Sequence, residues 1–245
     1  MVVTNWLPIG DIPLLEGDSA HVWRIPLDRA DQAMTDSLDV LSADESARAA
    51  RFFFEKDRRS FTRCRSTLRV LLGRYLGTAP DRLEFCYNRF GKPELAVLPP
   101  TFPLRFNVSH SGDWALITMT LEHRIGVDIE QIRQLDNIDD LARNSFSQYE
   151  LDVYQRLPDE QRTQAFFNAW TRKEAFIKAC GEGLSRPLTE FDVSLAPQDP
   201  VQLLQIAGDP TAARRWTLSA LEPAVGYVGA VAVERPDTRI QCFAG

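Results

Sequence analysis

The stretch Ile125-Gly126-Val127-Asp128-Ile129-Glu130 limits what this chain can fold into more than any other. At the two-residue period of a strand, Ile125, Val127 and Ile129 fall on one face, and Gly126, Asp128 and Glu130 on the other. The first face demands a core. The second carries two carboxylates whose Cα atoms lie roughly 6.6 Å apart along such a strand, so both side chains can converge on one cation or one phosphate-bearing substrate. Unless Arg133 folds back, nothing on that face neutralises them, and a metal ion is the usual remedy for two carboxylates half inside a sheet. The plain alternative is an edge strand with solvated acids.

With 245 residues, 44% hydrophobic and 25% charged, the chain can bury one large core or two small ones. A net charge of −6 argues against a general nucleic-acid or membrane-surface binder but leaves room for a local basic patch. Cys64, Cys86, Cys180 and Cys242 stand far apart with no CxxC pair, so neither a zinc site nor a redox motif is suggested. Free thiols, with no basic and apolar leader after Met1, make a reducing cytoplasm the expected compartment. The longest apolar runs, Trp114 to Leu121 and Ala224 to Val233, have strand length and are too short to cross a bilayer.

The first forty residues read as an extended lead-in, with a strand over 21–27 ended by proline. Ser42-Ala43-Asp44-Glu45 starts a helix, and the segment after it is strongly basic: Arg48, Arg51, Lys56, Arg58, Arg59, Arg63, Arg65, Arg69 and Arg74 against Glu55 and Asp57. Phe61, Cys64, Leu68, Leu71, Leu72 and Tyr75 recur at helical spacing up to Gly77, so this helix is amphipathic and its cations either face solvent or bind an anion such as a nucleotide phosphate. Asn88-Arg89-Phe90-Gly91-Lys92-Pro93 is a turn presenting Lys92. Ser109-His110-Ser111-Gly112 reads as a turn between two strands, a corner able to hold a phosphate. Ser147 opens a further helix. The next runs from Asp159 to Cys180, stops at Gly181, and sets Glu174 and Lys178 four residues apart on one face. Those two could form a surface ion pair; if Glu174 instead faces Asp128 and Glu130, three carboxylates meet in a way that suits Mg2+. Leu184 to Leu195 and Arg215 to Val233 come next as strands, with a tail from Pro236. Phe61-x3-Arg65-x2-Leu68-Arg69 ending at Gly77 echoes Phe166-x3-Trp170-x2-Lys173-Glu174 ending at Gly181, as though two halves share one plan. Clefts between such halves favour ligands.

Gly91-Lys92-Pro93, Phe106-Asn107-Val108-Ser109-His110-Ser111, Gly126-Val127-Asp128-Ile129-Glu130 and Trp170-Thr171-Arg172-Lys173-Glu174-Ala175-Phe176-Ile177-Lys178, in that order, resemble the 4′-phosphopantetheinyl transferase superfamily, specifically its Sfp-type class of two pseudo-symmetric halves. The resemblance implies an α+β fold, with similar α+β halves over 1–123 and 124–245 related by a pseudo-twofold and the active site in the cleft between them. It implies transfer of phosphopantetheine from coenzyme A to a serine of an acyl or peptidyl carrier domain, releasing adenosine 3′,5′-bisphosphate. Asp128, Glu130 and Glu174 then look like ligands of Mg2+ (or Mn2+), with Glu174 as base for the carrier serine and Lys178 steadying the pyrophosphate. Lys92, Ser109 and His110 look like coenzyme A contacts, and Arg48 like the cation near its 3′-phosphate. Two fused halves make a monomer the expected state, with no nucleic-acid or membrane partner.

Two other readings remain open on the sequence. One is a relative that binds coenzyme A or a carrier without turnover. The other is a metal-dependent exonuclease built on the Asp-x-Glu strand; such enzymes need a histidine or tyrosine five or four residues before a late aspartate, whereas His123 is the last histidine and Tyr149 stands three from Asp152.

Overall fold

Two helices of equal length set the layers. The structure is a computed structural model describing residues 2–8, 10, 13–28, 40–99 and 101–245. Strands β1 (Val2–Val3), β2 (Leu7–Pro8) and β3 (Ser19–Pro26) precede helices α1 (Ala43–Ala49) and α2 (Glu55–Leu76); β4 (Phe85–Tyr87), β5 (Pro93–Leu95), β6 (Leu104–Ser111) and β7 (Trp114–Leu121) come after them. The plan then repeats with β8 (Ile125–Gln131), helices α3 (Ile138–Ser145), α4 (Gln148–Arg156) and α5 (Asp159–Cys180), and strands β9 (Phe191–Val193), β10 (Leu203–Ile206), β11 (Thr217–Leu221) and β12 (Tyr227–Val233), before β13 (Arg239–Ala244). Helices α2 and α5 both have 22 residues, and each ends on a glycine with positive φ, Gly77 at 62° and Gly181 at 77°. That left-handed cap is cheap only for glycine and frees the chain to turn back into a sheet.

The duplication is one of pairing as well as order. In the first half β3 pairs antiparallel with β7, which pairs with β6; in the second β8 pairs antiparallel with β12, which pairs with β11. The two sheets stack, and alternation assigns their faces. Trp23, Ile25, Phe106, Ile117 and Met119 turn to α2, where they meet Leu68, Leu71 and Leu72. Ala20, Val22, Leu116, Ile125, Val127, Ile129 and Val231 turn inward between the sheets. Ala230 and Ala232 turn outward to Phe166, Phe176 and Ile177 of α5. The result is an α+β molecule layered helix, sheet, sheet, helix.

The chain ends cross between halves. The expected tail from Pro236 is instead strand β13, lying parallel to β3 with Cys242 opposite Val22 and Phe243 stacked on Trp23 at 4.7 Å. Strand β1, within the expected lead-in, runs parallel to β11 of the second half. Part of that lead-in, 29–39, lies outside the described residues. The basic segment is two helices, not one, separated between Ala49 and Glu55. Its cations divide: Arg65 and Arg69 turn inward to buried Glu45, with Arg69 Nε 2.6 Å from Glu45 Oε2, while Arg48, Arg51, Arg58 and Arg59 stay exposed. The Ser-His-Ser sequence lies within β6, and the turn begins only at Gly112.

Ser147 caps α4 as expected, accepting from Glu150 N at 3.2 Å. Glu150 also meets Lys173 of α5 at 2.7 Å with both side chains fully buried, and Lys173 Nζ donates to the Leu188 and Phe191 carbonyls. Burial pushes the Glu150 pKa up and the Lys173 pKa down, and each partner opposes the other's shift. Lys173→Met should therefore destabilise the fold by about 3–5 kcal/mol, because it strands Glu150 without its cation. Urea unfolding measures this, and a loss below about 1 kcal/mol would show that Glu150 is satisfied without Lys173.

Candidate active site

The site forms where the two sheets come together at β6 and β8. Each is an edge of its own sheet, and they are not laddered to one another. Polar side chains of β6 satisfy β8 instead. Val127 N donates to Asn107 Oδ1 at 2.9 Å, Ser109 Oγ donates to Asp128 Oδ1 at 2.8 Å, and Ser111 Oγ donates to Glu130 Oε2 at 2.9 Å. Asn107, Ser109 and Ser111 share one face of β6 by strand alternation, a period-two polar stripe.

On the other side of β8, helix α5 lies in backbone contact with Gly126. A Cβ added there would fall 2.1 Å from Ala175 O and 2.3 Å from Ala179 N. This close approach brings the Glu174 and Lys178 side chains, one helical turn apart, over the carboxylate face of β8. Lys178 does not pair with Glu174. Its Nζ lies 2.6 Å from Asp128 Oδ1 and 3.0 Å from Ser109 Oγ, so lysine, serine and aspartate close a triangle. Glu174 has no hydrogen bond or ion pair among the described residues, and its pKa rises to about 6. Burial is the main cause, the Asp128 and Glu130 charges add to it, and Lys178 opposes it. Glu130 also shifts upward, from burial and then from Asp128. Asp128 Oδ2 is buried with no partner.

Thus Ser109, Asp128, Glu130, Glu174 and Lys178 stand together. His110 lies on the opposite face of β6 from Ser109 and is exposed. Arg48 lies in the last turn of α1, exposed, with its guanidinium 5.3 Å from the Phe61 ring centroid, and shares no bond with the others. Lys92 donates to two backbone carbonyls, Ile125 O at 3.0 Å and Lys178 O at 2.7 Å, and burial lowers its pKa to about 8. Sequence reasoning passed over Asn107 and took Ser111 only as part of a phosphate-holding corner; the signal was their alternation with Ser109 along a strand, hidden while Ser109-His110-Ser111-Gly112 was read as a turn.

An all-oxygen donor set of Asp128, Glu130 and Glu174, two of them shifted upward by burial and then by neighbouring carboxylates, the third with an orphaned buried oxygen, fits a hard divalent cation by its chemistry. Among the described residues no three His, Cys, Asp or Glu side chains are gathered as a metal-holding group, and Lys178 sits on Asp128. No helix is long and apolar enough to cross a membrane among the described residues.

Comparison with known proteins matches this site-bearing half, residues 124–232, to the family model of the 4′-phosphopantetheinyl transferase superfamily, and residues 28–122 to that of the N-terminal part of 4′-phosphopantetheinyl transferase. Over 233 residues the chain is 40% identical to the 4′-phosphopantetheinyl transferase HetI of Nostoc sp., covering 95% of each. It is 29% identical to the 4′-phosphopantetheinyl transferase Sfp of Bacillus subtilis, covering 82% of this chain and 85% of that one. It is 28% identical to the mouse L-aminoadipate-semialdehyde dehydrogenase-phosphopantetheinyl transferase, covering 80% and 68%. On both halves and nearly its whole length, the chain belongs to the 4′-phosphopantetheinyl transferase superfamily.

Proposed function

We propose that the protein moves the 4′-phosphopantetheine group from coenzyme A to a serine hydroxyl of an acyl or peptidyl carrier domain, with Mg2+, releasing adenosine 3′,5′-bisphosphate. The observation that carries this reading is an unpartnered, half-buried Glu174 beside the Lys178–Asp128–Ser109 triangle. The carrier serine oxygen attacks the phosphorus that bears the pantetheine arm. Its bond to the bridging oxygen of the pyrophosphate breaks, and the electron pair leaves with the adenosine bisphosphate. Glu174 takes the serine proton, a role open to a half-buried carboxylate that no side chain among the described residues hydrogen-bonds, on the oxygen left free of the cation. Lys178 is already a donor to oxygen at this point and can turn to a pyrophosphate oxygen, with Ser109 beside it. His110 and Arg48 provide contacts on the nucleotide side.

Asp128, Glu130 and Glu174 would hold Mg2+ or Mn2+, which would neutralise charge on the pyrophosphate as the bond breaks. Both halves needed for the cleft are in one chain, so the working unit is a monomer. The test is to incubate the protein with coenzyme A, Mg2+ and a panel of apo carrier domains and to read each carrier's intact mass. The expected gain is one phosphopantetheine on the serine, abolished by chelator and restored by Mg2+. Bound coenzyme A with no gain on any carrier would overturn the transfer reading in favour of a non-catalytic relative, and transfer unaffected by chelation would remove the metal.

A further inference from the structure

The turn between β4 and β5 belongs to the first half, yet two of its polar side chains, Asn88 and Lys92, end on the second. Asn88 Nδ2 donates to Gly181 O at 2.9 Å. Lys92 Nζ donates to Lys178 O at 2.7 Å and to Ile125 O at 3.0 Å. Asn88 Oδ1 accepts from the backbone N–H groups of Phe90 and Lys92, so the turn is stiffened by the same residue that grips the helix. These acceptors have a common position: Lys178 lies in the last turn of α5, Gly181 caps it, and Ile125 is the first residue of β8. One ammonium therefore joins the C-terminal end of the helix carrying Lys178 to the strand carrying Asp128.

We infer that Lys92 is a positioning residue, which sets the reach of the Lys178 ammonium to Asp128 and Ser109 by holding the Lys178 carbonyl and β8 together. The Lys178 side chain is held at its far end by Asp128 and Ser109, and its backbone by Lys92. A half-buried lysine directed at two neutral carbonyls would be an expensive choice for mere packing, since a desolvated ammonium costs more than an apolar side chain of the same length. A cation also suits this place because the carbonyl end of a helix is its negative pole.

This inference rests on the proposed transfer, and a double-mutant cycle separates the two. Lys92→Met should lower kcat on the order of 10- to 100-fold, the usual cost of a misplaced catalytic group. Lys92→Arg should recover part of that. In a Lys178→Met background, adding Lys92→Met should change the remaining rate less than about twofold, because the group it positions is gone. Equal losses in both backgrounds would overturn the inference, whether they arise from direct contact with coenzyme A or from general loosening. Amide hydrogen exchange on the whole protein, without substrate, gives a reading that does not depend on the reaction. Lys92→Met should speed exchange selectively in the last turn of α5, and uniform or unchanged exchange would overturn the inference even if the wild-type protein modifies no carrier.

Discussion

Glu174→Gln should abolish carrier modification, with a loss on the order of 10²- to 10⁴-fold, while leaving the fold at least as stable as before. The two halves of this expectation come from one geometry. Glu174 has no hydrogen bond or ion pair among the described residues, so the amide breaks no structural contact. Its folded-state pKa of about 6 exceeds the usual 4.5. An acid whose pKa is raised by folding binds protons more tightly in the folded state, so stability falls as pH rises from about 4.5 through about 6, and the ionised form is a burden at pH 7. In chelator at pH 7, Glu174→Gln should therefore gain about 1 kcal/mol after allowance for solvent screening. At pH 4 the gain should vanish. Added Mg2+ should erase it at pH 7 by stabilising the parent alone. Carrier intact mass and thermal unfolding check the two parts; normal transfer by the variant would remove Glu174 from the chemistry, and a large stability loss would show a structural contact that the carboxylate makes.

Much of this site's geometry is legible in the sequence, and the reason is periodicity. The alternation Ile125, Val127, Ile129 against Gly126, Asp128, Glu130 could put the carboxylates only on the face away from the inter-sheet core, where the structure has them. The bounds of α5 followed from a helical stripe closed by Gly181. Four things were not legible. Strand β13 was read as a tail because neighbouring Cys242 and Phe243 are both apolar and face different layers, which blurs a two-residue period in a six-residue strand. The partner of Lys178 was undecided between Glu174, four residues away in sequence, and residues 50 or more away; proximity along a helix suggested an ion pair that the approach of β8 displaced in favour of Asp128. The destination of Lys92 was out of reach, because a sequence shows that a turn presents a lysine and not which carbonyls lie beneath it. Likewise the basic stretch hid that Arg65 and Arg69 serve buried Glu45, which required α1 to fold across α2.

Gly126→Ala should be the most damaging glycine-to-alanine change among the described residues. The added methyl would sit 2.1 Å from Ala175 O, 2.3 Å from Ala179 N and 2.9 Å from Lys178 C, all main-chain atoms of α5. A side chain in the way could change rotamer; a helix backbone can only move as a body. Alanine is otherwise the better strand residue by roughly 0.5–1 kcal/mol, so the sign rests on the clash, which should exceed that several-fold and cost about 3 kcal/mol or more. Set against a total of about 5–15 kcal/mol, this leaves a folded but weakened protein or none. Gly17→Ala, where nothing lies within 4 Å of the added atom, is the matched control and should stay within about 0.5 kcal/mol of the parent. The functional consequence is separable from the stability loss. The helix that must retreat carries Glu174 and Lys178, and the strand it retreats from carries Asp128 and Glu130. Even the fraction of Gly126→Ala that folds should thus lose activity on the order of 10²-fold, since a displacement of about 1 Å suffices for that. Urea unfolding with transfer measured per folded molecule tests both. A variant as stable and as active as the parent would mean that α5 does not press on β8, and the spacing on which the whole site depends would have to be set elsewhere.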